Sequence, residues 1–266
     1  MNQNDDIVYI EFMGLPGSGK STLSTSLCRQ LNKNGYNTES FRQAVRESIF
    51  QSTSLFPASV LTRLPENIQK YFYELEMRRS NRYISEYARI STKFPNLINI
   101  INNAITHNKI NEAERQLASE WVIKLLARYS ILYHSQSVPY EFLTFAEGFC
   151  NRTPAIYMDH HKVDTRENIQ QYINAIPMPE TVILPDVEKD ICLSRIDNRT
   201  EREPWRMQRL SYEEKVEFMT NYQQCLEIVA KCIETSGGSI IRVDNTRDLE
   251  RVTQNLYNQI LKNYGK

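Results

Sequence analysis

Residues Gly14-Leu15-Pro16-Gly17-Ser18-Gly19-Lys20-Ser21, followed by Thr22, fill every fixed position of G-x-x-x-x-G-K-[ST]. No other stretch constrains the fold as strongly. The loop follows a short β-branched, apolar run, Ile7 to Met13, in which only Glu11 is charged, as expected of a buried parallel strand. Leu23, Leu27 and Leu31 then recur at helical spacing up to Asn34-Gly35, a helix stop. Strand, glycine turn and helix in that order form a phosphate cradle. Glycines let backbone N–H groups converge on phosphate oxygens, and the helix N-terminus adds the positive end of its dipole. Lys20 is expected to reach the β- and γ-phosphates and Ser21 to ligate Mg²⁺, with Gly14, Pro16, Gly17, Ser18, Gly19 and Thr22 enclosing the nucleotide.

Tyr36 to Phe41 reads as a second strand, and further strands are expected at 141–146, 181–184 and 239–243. Between residues 42 and 140 there is no glycine and almost no strand pattern. Helices are expected at 66–90, 95–107 and 111–136 there, and at 166–175, 187–199, 211–236 and 248–262 beyond. Strands alternating with helices imply a three-layer α/β fold around a five-stranded parallel sheet. Residues 1–41 and 141–266 would form its core, with an arginine-rich lid at about 195–210. Residues 42–140 would form a helical insertion building the acceptor side.

Composition excludes several classes. The 32 basic and 32 acidic residues cancel, so no overall field favours nucleic acid or an anionic membrane. No apolar run is long enough for a membrane span, and the acidic start is unlike a secretory signal. An odd count of five cysteines without a CxxC pair points to free thiols and the cytoplasm. The runs Asn32-Lys33-Asn34-Gly35 and Asn108-Lys109-Ile110-Asn111 lack the aspartate of a guanine-reading motif, which leaves ATP as the expected nucleotide.

The strand Glu141–Phe145 leads into Ala146-Glu147-Gly148-Phe149-Cys150-Asn151-Arg152. An acid at the carboxyl end of a parallel strand beside the glycine loop is placed to hold Mg²⁺, and Glu147 is that acid. Together with Gly14–Thr22, this run resembles adenylate kinases, with their GLPG-type loop and a strand ending in Asp-Gly-Phe-Pro-Arg. The stretch 181–206 resembles the strand, helix and lid entry of adenylate and thymidylate kinases, and 239–262 resembles their last strand and adenine-bordering loop. The resemblance implies a P-loop NTPase fold and ATP- and Mg²⁺-dependent phosphoryl transfer. It implies Arg195 at the nucleotide base, Arg199 at the phosphates and Arg202 or Arg206 as lid arginines. It implies Asp244, Asn245 and Thr246 around adenine, and Arg42 and Arg152 on the acceptor. Four departures leave the acceptor open. Glu147 stands for aspartate, one extra residue precedes Arg152, Gln43 follows Arg42 where thymidylate and deoxynucleoside kinases have a carboxylate, and the insertion at 42–140 is longer than adenylate or thymidylate kinases need.

The expected helix 66–90 places Arg78, Arg82 and Arg89 within about 40° of one another, a basic edge suited to an anionic acceptor. An apolar stripe of Ile68, Phe72, Leu75, Tyr83 and Ile90 lies beside it. A nucleoside monophosphate is the leading acceptor. The alternatives are a hydroxyl on a sugar, nucleotide-sugar or other metabolite, with Glu147 as base, and an ATP-driven switch. The expected partner is a small molecule, with homodimerisation left open.

Overall fold

A computed structural model of the 266-residue chain describes residues 7–52, 57–79, 81–108, 111–135, 139–158, 162–199, 204–246 and 248–264. In chain order the elements are β1 (Val8–Phe12), α1 (Lys20–Lys33), β2 (Thr38–Ser40), α2 (Phe41–Ser52), α3 (Ala58–Leu61), α4 (Glu66–Arg79), α5 (Arg82–Lys93), α6 (Pro95–Asn108) and α7 (Glu112–Tyr133). They continue as β3 (Phe142–Phe145), α8 (Phe149–Tyr157), α9 (Arg166–Ala175), β4 (Thr181–Asp186), α10 (Lys189–Asp197), α11 (Tyr212–Thr235), β5 (Ser239–Asp244) and α12 (Leu249–Tyr264).

The five strands form one parallel sheet in the order β2-β3-β1-β4-β5. This is the three-layer P-loop fold that the sequence implied. β1 lies between β3 and β4, with Glu11 in register with Phe145 on one side and Val182 on the other. Successive side chains of a strand point to opposite faces. Ile10 and Phe12 therefore pack with Leu23, Leu27, Leu31, Val252, Leu256 and Ile260 of α1 and α12. Glu11 and Met13 face the other layer, whose larger core joins the sheet to helices of the 42–140 segment through Leu97, Ala118, Leu126, Phe149 and Val229.

Local signals set most element ends. Asn111 caps α7 through Ala113 N–H, Thr165 caps α9 through Asn168 N–H, and Ser211 with Glu214 forms a reciprocal capping box on α11. Three expectations need correction. The second strand is shorter than Tyr36–Phe41, because the chain turns helical at Phe41, and Arg42 sits in the first turn of α2. The helix expected over 66–90 is two helices, broken where Asn81 adopts a left-handed backbone (φ 46°). The buried side of α4 is Gln69, Tyr73 and Met77, one residue's rotation from the expected stripe, so Ile68 and Leu75 remain exposed.

The break also separates the expected basic edge. Arg78 is exposed on α4, whereas Arg82 on α5 donates to Ser52 Oγ at 2.9 Å and lies 4.0 Å from Glu86. All five cysteines are free thiols. Among the described residues no helix is long and apolar enough to cross a membrane.

Candidate active site

The glycine loop lies at the carboxyl end of β1, where strand order reverses and α/β sheets open a crevice. Gly17 and Gly19 have φ of 83° and 84°, the left-handed region that only glycine enters cheaply. Gly17 is also closed sterically. A Cβ there would lie 2.3 Å from the Cys192 carbonyl oxygen, on the backbone of α10. Gly14 N–H donates to Asn151 Oδ1 at 3.1 Å, and Lys20 Nζ folds onto the carbonyls of Gly14 (2.8 Å) and Leu15 (2.7 Å). The Ser18 hydroxyl is buried with no partner among the described residues, an unsatisfied polar group inside the cradle.

The loop forms one end of a cavity of about 400 Å³. Pro16, Gly17, Gly19, Lys20, Ser21, Thr22 and Arg199 line this end. Arg152 and Ala155 of α8, Trp121 of α7, and Phe218 and Tyr222 of α11 continue the lining with Pro204 and Arg206, while Asn151 reaches back to Gly14 and Glu147 lies against Arg152.

Glu147 Oε2 accepts from Arg152 Nη2 at 2.6 Å and from Arg42 Nη2 at 2.8 Å. Burial opposes its charge, but the neighbouring Arg152, Arg42 and Lys20 prevail and hold its carboxyl below the usual range. Arg42 is 67% exposed and Arg152 27%, so Arg152 is the less screened partner. The Arg152 guanidinium also stacks over Trp121, 4.9 Å from the ring centroid. Burial brings Lys20 down to about 8, helped by Arg199 and Arg152 and opposed by Glu147.

At the carboxyl end of β5, Asn245 Nδ2 donates to Ser18 O at 2.7 Å in a buried contact, and Arg195 Nη2 donates to Asn245 O at 3.1 Å. Asn245 thus ties the β5 end to the glycine loop through its side chain. Thr246 N–H donates to Asp244 Oδ1 at 3.0 Å, which shapes the same turn. Arg202 lies outside the described residues. Arg206, expected in a lid, lines the cavity. It donates to the carbonyls of Pro154 and Met158, lies 3.9 Å from Glu114 and stacks on Phe218. Arg78 and Arg82 do not line the cavity.

Ser21 and Glu147 both face the cavity and offer oxygen, the donor that Mg²⁺ takes. No group of three or more histidine, cysteine, aspartate or glutamate side chains placed to hold a metal ion occurs among the described residues. The aromatic end was missed from sequence. Trp121, Phe218 and Tyr222 sit in helices with ordinary core patterns, and nothing in their spacing points to a site. Asn151 and Glu11 did carry a signal: one adjoins Arg152, and the other is the only charge in an apolar strand.

No family model matches the chain, and no curated protein does. Solved structures with a related layout include the deoxyadenosine kinase of M. mycoides in three forms, each 14% identical. With dCMP and a flexible dCDP the TM-score is 0.46, covering 96% of this chain and 98% of that one. With dCTP it is 0.47 over 96% and 99%, and with dATP 0.46 over 95% and 98%.

Proposed function

We propose that the protein is a kinase that transfers the γ-phosphoryl group of ATP to a hydroxyl of a small, uncharged, ring-bearing acceptor of the nucleoside type. The observation that carries this reading is how charge divides along the cavity. Beside the glycine loop the lining cations are Lys20 and Arg199, which suit a triphosphate. At the aromatic end each lining arginine has a carboxylate near it, Arg152 with Glu147 and Arg206 with Glu114. That end is close to neutral and offers Trp121, Phe218 and Tyr222 to a planar ring.

In this reading the acceptor hydroxyl lies beside Glu147, between the two ends. The hydroxyl oxygen forms the new bond to the γ-phosphorus as the bond to the β-phosphate oxygen breaks, and the hydroxyl proton passes to the Glu147 carboxylate. Lys20 and Arg199 neutralise charge on the transferring group, and the loop N–H groups hold the departing diphosphate. Ser21 and Glu147 would hold a Mg²⁺ ion, whose positive charge would offset that of the phosphates.

A monophosphate acceptor is the second reading, supported by Arg152 lining the acceptor end. Purified protein with ATP and Mg²⁺ is tested against matched nucleosides and nucleoside monophosphates, with Lys20→Ala as control. Turnover of nucleosides in preference to monophosphates supports the proposal. The reverse preference transfers support to the second reading. ATP hydrolysis insensitive to every acceptor would refute both and leave the nucleotide-driven switch.

A further inference from the structure

Glu11 is a carboxylate on the middle strand of the sheet, 2% exposed and outside the cavity. Its Oε1 accepts the Asn151 N–H at 2.7 Å, in the first turn of α8. The α8 cap residue is Gly148, which has no capping side chain of its own. A Cβ at Gly148 would lie 2.5 Å from the Glu11 carboxyl carbon, so the carboxylate occupies the space a side chain would need. The helix is therefore capped by an acid from a strand 140 residues away. The same helix carries Asn151, Arg152 and Ala155 into the cavity. Three residues beyond Glu11 the strand becomes the glycine loop, and Gly14 N–H is held by Asn151 Oδ1.

We infer that Glu11 is a positioning residue, which fixes the acceptor-side helix against the strand that carries the phosphate loop. An apolar residue would build β1 equally well, and burying a carboxylate is costly. What the carboxylate adds is a fixed distance between Gly14 on the donor side and Arg152 on the acceptor side. Burial pushes Glu11 up to about 7, while the N–H groups of Asn151, Cys150 and Gly148 pull it back down. The titratable groups facing it are the Cys150 thiol and the Tyr172 phenol, both shifted well upward by burial and so neutral.

The meaning of kcat in the test rests on the kinase reading, so an activity-independent readout accompanies it. The chain has two tryptophans, and a Trp205→Phe background leaves Trp121, against which Arg152 stacks, as the only indole. In that background Glu11→Gln is compared with Gly148→Ala, which drives a methyl group into the carboxylate, and with Arg152→Ala. The expected result is a cooperative melt, kcat with ATP and a nucleoside reduced at least tenfold, and KM for ATP within threefold. Trp121 emission should shift in the same direction as in Arg152→Ala. Unchanged kcat and unchanged emission in a folded Glu11→Gln overturn the inference. If Glu11→Gln fails to fold, Gly148→Ala decides on the same criteria, and loss of both folds makes Glu11 a stability element and overturns it as well. A native protein without kinase turnover refutes the proposed function, while the emission comparison still judges Glu11.

Discussion

Glu147→Gln should change both how fast the protein works and what it accepts. The amide keeps the size of the carboxylate and an oxygen for Arg152, but not the charge. The two bonds on Oε2, 2.6 Å from Arg152 and 2.8 Å from Arg42, then become ion–dipole contacts. A charge-assisted hydrogen bond contributes about 1.5–3 kcal/mol, roughly twice its neutral counterpart. Arg42 is largely exposed and screened, so it adds little. The change is therefore carried by Arg152, at about 1–2 kcal/mol. That energy becomes available to an anionic acceptor, whose KM should fall roughly five- to thirty-fold. A neutral acceptor gains nothing and loses its base, so its kcat should drop by about 10²–10⁴. Steady-state kinetics on a nucleoside and its monophosphate, with ATP saturating, read both effects. Unaltered kcat on the nucleoside would refute the base assignment, and an unaltered KM for the monophosphate would refute the charge argument.

Asn245→Ala leaves the buried Ser18 carbonyl without its donor, and a cost of about 1–2 kcal/mol predicts ATP binding weakened roughly tenfold by titration calorimetry. ATP affinity should decline as pH rises above about 8, because Lys20 loses its proton there, and Glu147→Gln should move that decline to lower pH. Binding titrations across pH 7–10 check both, and a flat profile would contradict the Lys20 shift. Glu11, raised from 4.5 to about 7 by burial, keeps its proton in the folded chain where the unfolded chain has released it. Stability should therefore fall as pH rises between about 4.5 and 7, by an amount on the order of 3 kcal/mol, and level off above. Thermal melts of native protein and Glu11→Gln test this, the variant lacking that slope.

The phosphate loop, the five parallel strands and most helices were legible because each rests on local chemistry. The Gly14–Ser21 pattern, the β-branched run before it, the Leu23-Leu27-Leu31 spacing and the Ser211/Glu214 cap act within a few residues of chain. Glu147 and Arg152 were legible because their position at a strand end carries chemical meaning. The break at Asn81 was not, since periodicity continues across it and only a left-handed backbone reveals that Arg78 and Arg82 part company. The shortened β2 was hidden for a similar reason, as Phe41 and Arg42 suit a strand end and a helix start equally. Tertiary structure alone decided which aromatic residues face the cavity, which carboxylates neutralise which arginines, and that Glu11 caps a helix distant in sequence. Propensity and spacing act between residues a few positions apart, whereas hydrogen bonds and charge pairs act across a few ångströms of space. Only the folded sheet brings residues 147, 151 and 245 to the glycine loop.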